Sequence, residues 1–196
     1  MGKKRGQKYE QIIDAAVKVI AKNGYHQSQV SKIAKEAGVA DGTIYLYFKN
    51  KEDILISLFE EKMGQFVERI KEKMEAETSV EKKLLILIEM HFMQLEMDHD
   101  LAIVTQLELR QSNIDIRYKI NEVLKGYLTL IDSVIEEGIE KGVFGSNLDL
   151  RVTRQLIFGA MDEVVTNWVM KECKYELITL AEPIHRMLLN GMTENT

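Results

Sequence analysis

The chain has 196 residues, a formal charge of −5, 45% hydrophobic residues, one proline and one cysteine. That length suits a small head plus one larger core and is short for three independent domains. No run of 18 uncharged apolar residues occurs, so neither a membrane span nor a membrane partner is expected, and Cys173 alone excludes an internal disulfide or a cysteine-cluster zinc site and fits a cytoplasmic protein.

The first eight residues are basic but lead into an amphipathic segment, which is unlike a signal peptide. Ile12, Ile13, Ala16, Val17 and Ile20 share one face of a first helix over residues 8–22, which stops at Asn23 and Gly24. Val30, Ile33, Ala34 and Ala37 form the apolar stripe of a second helix beginning near Ser28, a good N-cap residue. Gly38 follows that stripe, where a left-handed turn is least costly without a Cβ. A third helix is predicted over residues 41–48, with Ile44 and Phe48 anchoring it and Thr43, Tyr45 and Tyr47 facing outward.

A short helix, a glycine turn and a second short helix rich in hydrogen-bonding groups make a helix-turn-helix, whose second helix enters the DNA major groove. The candidate DNA contacts are Ser28, Gln29, Asp41, Gly42, Thr43, Tyr45, Tyr47, Lys49 and Lys51. Asp41 is the odd charge in that set: it could accept from a cytosine amine, pair with a lysine, or cap the helix, and the cap is favoured. Charge supports the assignment, since residues 1–51 hold ten Lys and Arg against four Asp and Glu, while the remaining 145 residues carry −11. A basic end on an acidic chain is an electrostatic footprint for a polyanion.

Helical periodicity continues to the C-terminus. A long fourth helix from about Lys51 carries Leu55, Leu58, Phe59, Met63, Phe66, Ile70 and Met74; further helices are predicted over 80–97, 100–111, 114–141, 149–174 and 175–190. The last two are apolar over more than one stripe, and the surplus around Leu156, Gly159, Ala160, Leu188 and Leu189 suggests a protein partner. Residues 91–113 combine apolar side chains with His91, Gln106, Arg110, Gln111 and Asn113, a composition that could line an apolar pocket with a polar mouth. Glu96, Asp98, His91 and His99, or Ser112 and Cys173, could be imagined as catalytic groups. None sits in a metal-ligand spacing or a nucleophile elbow, so no enzyme, metal or cofactor is expected.

The segment GYHQSQVSKIAKEAGVADGTIYLYFKNKEDIL resembles the DNA-binding signature of TetR-family transcriptional repressors. The family usually has Ser or Thr where this chain has Ala40. The resemblance implies an all-α protein, with a three-helix head over residues 1–52 joined by the long fourth helix to an effector-binding and dimerisation body over 53–196. It further implies a homodimer through the last two helices, with Tyr47 and Lys51 touching the DNA backbone. Two-fold symmetry then requires a palindromic operator, its half-site centres roughly 34–36 Å apart or a multiple of that.

The segments LAIVTQLELRQSN and IFGAMDEVVTNWVM are similar to the fatty-acid-degradation repressors within that family. This implies long-chain acyl-CoA as the effector that relieves repression. An acyl chain needs an apolar tunnel, for which Phe66, Ile70, Leu87, Met90, Leu95, Val104, Leu107, Val134, Phe158, Met161 and Trp168 are candidates. The coenzyme phosphates need cations, for which Arg110, Arg117, Lys119 and Lys125 are candidates. A repressor of the same type responding to another hydrophobic small molecule, such as a drug, is the alternative.

Overall fold

The computed structural model describes residues 6–193; the basic Lys3, Lys4 and Arg5 lie outside that range. Among the described residues there are helices and no strands: α1 (Gln7–Asn23), α2 (Val30–Glu36), α3 (Asp41–Ile44), α4 (Lys51–Glu75), α5 (Val80–Met97), α6 (His99–Glu108), α7 (Ile114–Glu140), α8 (Leu150–Met170), a 3-10 turn (Leu177–Leu180) and α9 (Ala181–Met192). The chain forms two compact units, each discontinuous in sequence. One comprises Met1–Met63 and Asp100–Val123, the other Gly64–His99 and Leu124–Thr196. Both α4 and α7 contribute residues to each unit.

In the first unit, α1 packs on α2 and α2 on α3. The apolar face of α1 buries Tyr9, Ile12, Ile13, Ala16 and Ile20, and Ile33 and Ala34 of α2 are fully buried. Gly38 has φ +66°, and the chain reverses there with Val39 N–H donating to the Ala34 carbonyl at 2.9 Å. The expected N-caps require correction. Gln29, not Ser28, occupies the cap of α2, and Ala40, not Asp41, occupies that of α3. Asp41 is instead the first residue of α3. That helix is also shorter than expected, although Tyr47 and Phe48 N–H groups still donate to the Ile44 carbonyl at 3.0 and 2.9 Å and carry a helical turn onward. Ile44 and Phe48 anchor the turn as expected, both buried.

In the second unit, α5 packs against α8, the 3-10 turn and α9. Its start is capped by Ser79, which accepts from Lys82 N–H, and Asp149 does the same for α8 by accepting from Val152 N–H at 2.9 Å. The C-terminal elements differ from the predicted pair of long helices. Helix α8 ends at Met170, where Glu172 and Cys173 turn left-handed at φ 58° and 54° and Cys173 N–H reaches back to the Trp168 carbonyl. After the 3-10 turn, Pro183 falls in the first turn of α9, where its missing N–H breaks no intrahelical bond.

Candidate functional site

Asp41, Gly42, Tyr45 and Lys49 are exposed around α3, with Thr43 and Tyr47 half-buried and Gln29 exposed at the start of α2. The ring of Tyr47 lies 6.5 Å from that of Tyr9, which in turn stacks on Phe48 at 5.2 Å. Tyr47 is therefore braced by the head core, while Tyr45, 59% exposed, is not. The connection to α4 is fixed by side chains: Asn50 Oδ1 accepts from Asp53 N–H at 2.8 Å, and Asp53 Oδ2 accepts from Lys49 N–H at 2.9 Å. Lys51 Nζ donates to the carbonyls of Tyr25 and His26, both at 3.0 Å, and sits 4.6 Å over the Tyr25 ring. Two of its three ammonium protons are thus engaged, and one remains.

Ser28 does not belong to this face. It is only 2% exposed, and its Oγ is held inward against the carbonyls of Gly24 and Val19, at 2.8 and 3.2 Å. Leu46 was not anticipated. It stands 80% exposed beside Tyr45 in the turn that continues α3, and a leucine in that position carries no helical-period signal because it belongs to neither buried nor polar stripe.

The candidate effector residues divide between the two units. In the second unit, Phe66, Ile70, Leu87, His91, Leu95, Val134, Met161 and Trp168 are buried, and Met90 and Phe158 half-buried. At their centre His91 and Tyr127 are joined by a hydrogen bond of 2.9 Å between Nδ1 and the phenol oxygen. The Tyr127 ring lies 5.5 Å from Phe66 and 6.2 Å from Phe158, and His91 lies 6.1 Å from Phe66 and 6.0 Å from Phe92. Ile70 is one helical turn from Phe66, and Leu87 and Leu95 one turn either side of His91, so these aliphatic groups extend the same faces. Trp168 stands apart: it is ten residues, about 15 Å of helix, beyond Phe158. Its Nε1 donates to the Tyr175 carbonyl at 2.7 Å and His99 packs edge-on against it, so it closes the end of α8.

Burial acts on both polar members of the pair. It lowers the His91 imidazole to about 4 and pushes the Tyr127 phenol well above its ordinary value, so both are neutral near pH 7. Tyr127 was missed by the sequence reasoning, since it lies 36 residues from His91 and no local spacing links the two.

Val104, Gln106, Leu107, Arg110 and Asn113 belong to the first unit. Two of them depart from the expected role. Leu107 is 54% exposed and so is no buried wall of a tunnel, and Asn113 caps α7, its Oδ1 accepting from the N–H groups of Asp115 and Ile116 at 2.9 and 3.1 Å. Val104 and Gln106 are buried, and Arg110 is exposed with its guanidinium over the Gln106 carbonyl at 3.4 Å. Among the basic candidates, Lys119 is paired with Glu52, which raises its pKa through that hydrogen bond and charge. Among the described residues no group of His, Cys, Asp and Glu could hold a metal ion, and no helix is long and apolar enough to cross a membrane.

The head has the arrangement of a helix-turn-helix regulator. Residues 12–58 match the family of bacterial regulatory proteins typified by tetR, and residues 59–191 match the C-terminal region of YsiA-like proteins. The chain belongs to the TetR family, whose members bind DNA and act as dimers. It is 60% identical over 190 residues to the fatty acid metabolism regulator protein of Bacillus subtilis, covering 97% of this chain and 98% of that one. Two solved structures match at a TM-score of 0.92, each covering 94% of this chain and 99% of the other. They are the fatty acid degradation regulator FadR of Bacillus halodurans, 67% identical, and the transcriptional regulator FadR of Bacillus subtilis in complex with stearoyl-CoA, 61% identical.

Proposed function

We propose that this protein is a repressor of fatty-acid degradation genes, bound to a palindromic operator as a homodimer and released by long-chain acyl-CoA. The observation that carries the reading is the near-full-length likeness to a regulator that holds stearoyl-CoA. The aromatic and aliphatic cluster around Phe66, Tyr127 and Phe158 supports it, because an acyl chain needs an apolar surface of that kind. Residues 1–52 read the DNA, through Gly42, Thr43 and Tyr45 at base edges and Gln29, Tyr47, Lys49 and Lys51 at phosphates. The remainder holds the effector and the partner subunit.

Within the protomer, α8 presents Val152, Leu156 and Gly159 to solvent and α9 presents Met187. These are the apolar faces a second copy covers, with Gly159 permitting close approach. Effector and operator are linked by differential affinity: acyl-CoA binds best to a dimer whose heads are spaced out of register with successive major grooves.

The test is operator release across acyl length. Stearoyl-CoA should release the protein, acetyl-CoA should act far more weakly, and coenzyme A alone should not act, since each buried methylene contributes about 0.8 kcal/mol. Equal potency of stearoyl-CoA and acetyl-CoA, or release by neither, overturns the assignment of the effector.

A further inference from the structure

We propose that the His91–Tyr127 pair reads a neutral oxygen acceptor on the acyl group, the carbonyl of its thioester, so that the site distinguishes an acyl thioester from a bare alkyl chain of equal length. This deepens the acyl-CoA reading and rests on it. Neutral imidazole carries one N–H and the tyrosine one O–H, yet the two residues share a single hydrogen bond. One donor is therefore left over whichever way that bond runs. An imidazole nitrogen is a far stronger base than a phenol oxygen, so Tyr127 O–H donates to Nδ1 and the remaining proton resides on Nε2.

His91 is more than nine-tenths buried, and its Nε2 has no hydrogen-bond partner among the described residues. Its ring neighbours Phe66 and Phe92 offer no acceptor oxygen. A donor held in aromatic surroundings without an acceptor is costly, and folded proteins retain few such groups. A lining made only to hold hydrocarbon would have no use for it: a phenylalanine or leucine would fill the volume at no polar cost. The acceptor that answers it is uncharged, because the imidazole is neutral and cannot offset the desolvation of a carboxylate. A thioester carbonyl meets both conditions, and the carboxylate of an ionised fatty acid does not.

The experiment compares stearoyl-CoA with S-octadecyl-CoA, a thioether with the same carbon chain and no carbonyl, by calorimetric titration of the full-length protein. Wild type should bind the thioester about 5- to 150-fold more tightly, the range expected for leaving a buried donor unpaired. His91→Phe should bind the two ligands within about twofold of one another. In the wild-type protein the Nε2–H resonance of His91 should move downfield with stearoyl-CoA and not with S-octadecyl-CoA, a readout independent of whether the variant folds. Equal wild-type affinity for the two ligands, a preference that survives His91→Phe, or an unmoved resonance overturns the pair's role while leaving acyl-CoA as effector. Binding of neither ligand overturns both readings.

Discussion

The backbone N–H of Tyr25, two residues past the end of α1, donates to Oε1 of Glu108 at 2.9 Å across 83 residues of sequence. Glu108 is buried, and its second oxygen accepts from Gln111 Nε2, so the carboxylate is satisfied on both sides. This bond ties α6 to the turn that precedes the helix-turn-helix. Glu108→Ala leaves the Tyr25 N–H without its acceptor and should lower unfolding free energy by about 1–3 kcal/mol, while Glu108→Gln, which keeps an acceptor oxygen, should lose less. Urea denaturation measures both; an alanine variant as stable as wild type removes the bond from the energetics of the head.

Gly42 lies exposed in α3, and a Cβ built there meets nothing within 4 Å. The protomer itself has no need of a glycine at this position, so the lack of a side chain matters to whatever approaches from outside. Gly42→Ala should fold with unchanged or slightly raised stability and bind operator more weakly, because the added methyl holds the helix off the DNA. Tyr45→Ala should also leave stability within about 0.5 kcal/mol, since the ring is exposed, and should narrow the affinity gap between operator and unrelated DNA. Fluorescence anisotropy on the two DNA types decides; wild-type affinities for both variants would displace the recognition turn from the groove.

Lys51 clamps the Tyr25 and His26 carbonyls, and in the proposed DNA complex its remaining N–H would meet a phosphate. Lys51→Ala should lower affinity for all DNA sequences alike and reduce the salt slope by about one, and should also cost the head about 1 kcal/mol of stability. A drop in stability with an unchanged salt slope would make Lys51 a clamp only.

Much of the head was legible because its logic is local. The stripe Val30, Ile33, Ala34 and the turn at Gly38 specify a helix and the reversal that ends it within a dozen residues. The caps were not, because Ser28 and Gln29, or Ala40 and Asp41, differ in position by one and a helix start depends on which backbone leaves the helical region first. The candidate effector cluster was legible as composition only. Leu107 has the same periodicity as its buried neighbours, so sequence cannot say which face of α6 is covered, and Asn113 is equally plausible as a pocket amide or a cap. A Cβ at Gly138 of α7 would collide with the ring of Phe144, so the glycine makes room for the chain folding back after α7, a requirement that only the packed structure displays. The bond between His91 and Tyr127 depends on how α5 and α7 pack and has no local signature.

Acid should expose the cost of the buried imidazole. His91 titrates at about 4 in the folded protein against about 6.5 in the unfolded chain, so the unfolded state binds the proton first as pH falls. The full stability is present above pH 6.5 and is lost progressively down to about pH 4, a decline worth roughly 3 kcal/mol from this group. His91→Phe should flatten that part of the profile. Urea melts of both proteins at pH 7 and pH 5 provide the comparison, and parallel losses in the two would assign the acid sensitivity to other groups.

Gly159 is exposed on α8, one turn from Leu156, which is 63% exposed, and a Cβ at Gly159 meets no atom of its own protomer within 4 Å. An arginine there is therefore tolerated by the isolated subunit and felt only by a second copy, into whose apolar face it would drive a long charged side chain. Gly159→Arg should give a folded monomer with wild-type helicity. Operator affinity should collapse, since one head makes half of the phosphate and base contacts and the entropic advantage of two linked heads is gone. Leu156→Asp should act in the same direction by charging the same face. Sedimentation velocity at micromolar concentration, with circular dichroism to verify folding, measures the outcome: a Gly159→Arg protein that remains dimeric would move the subunit interface away from this face of α8.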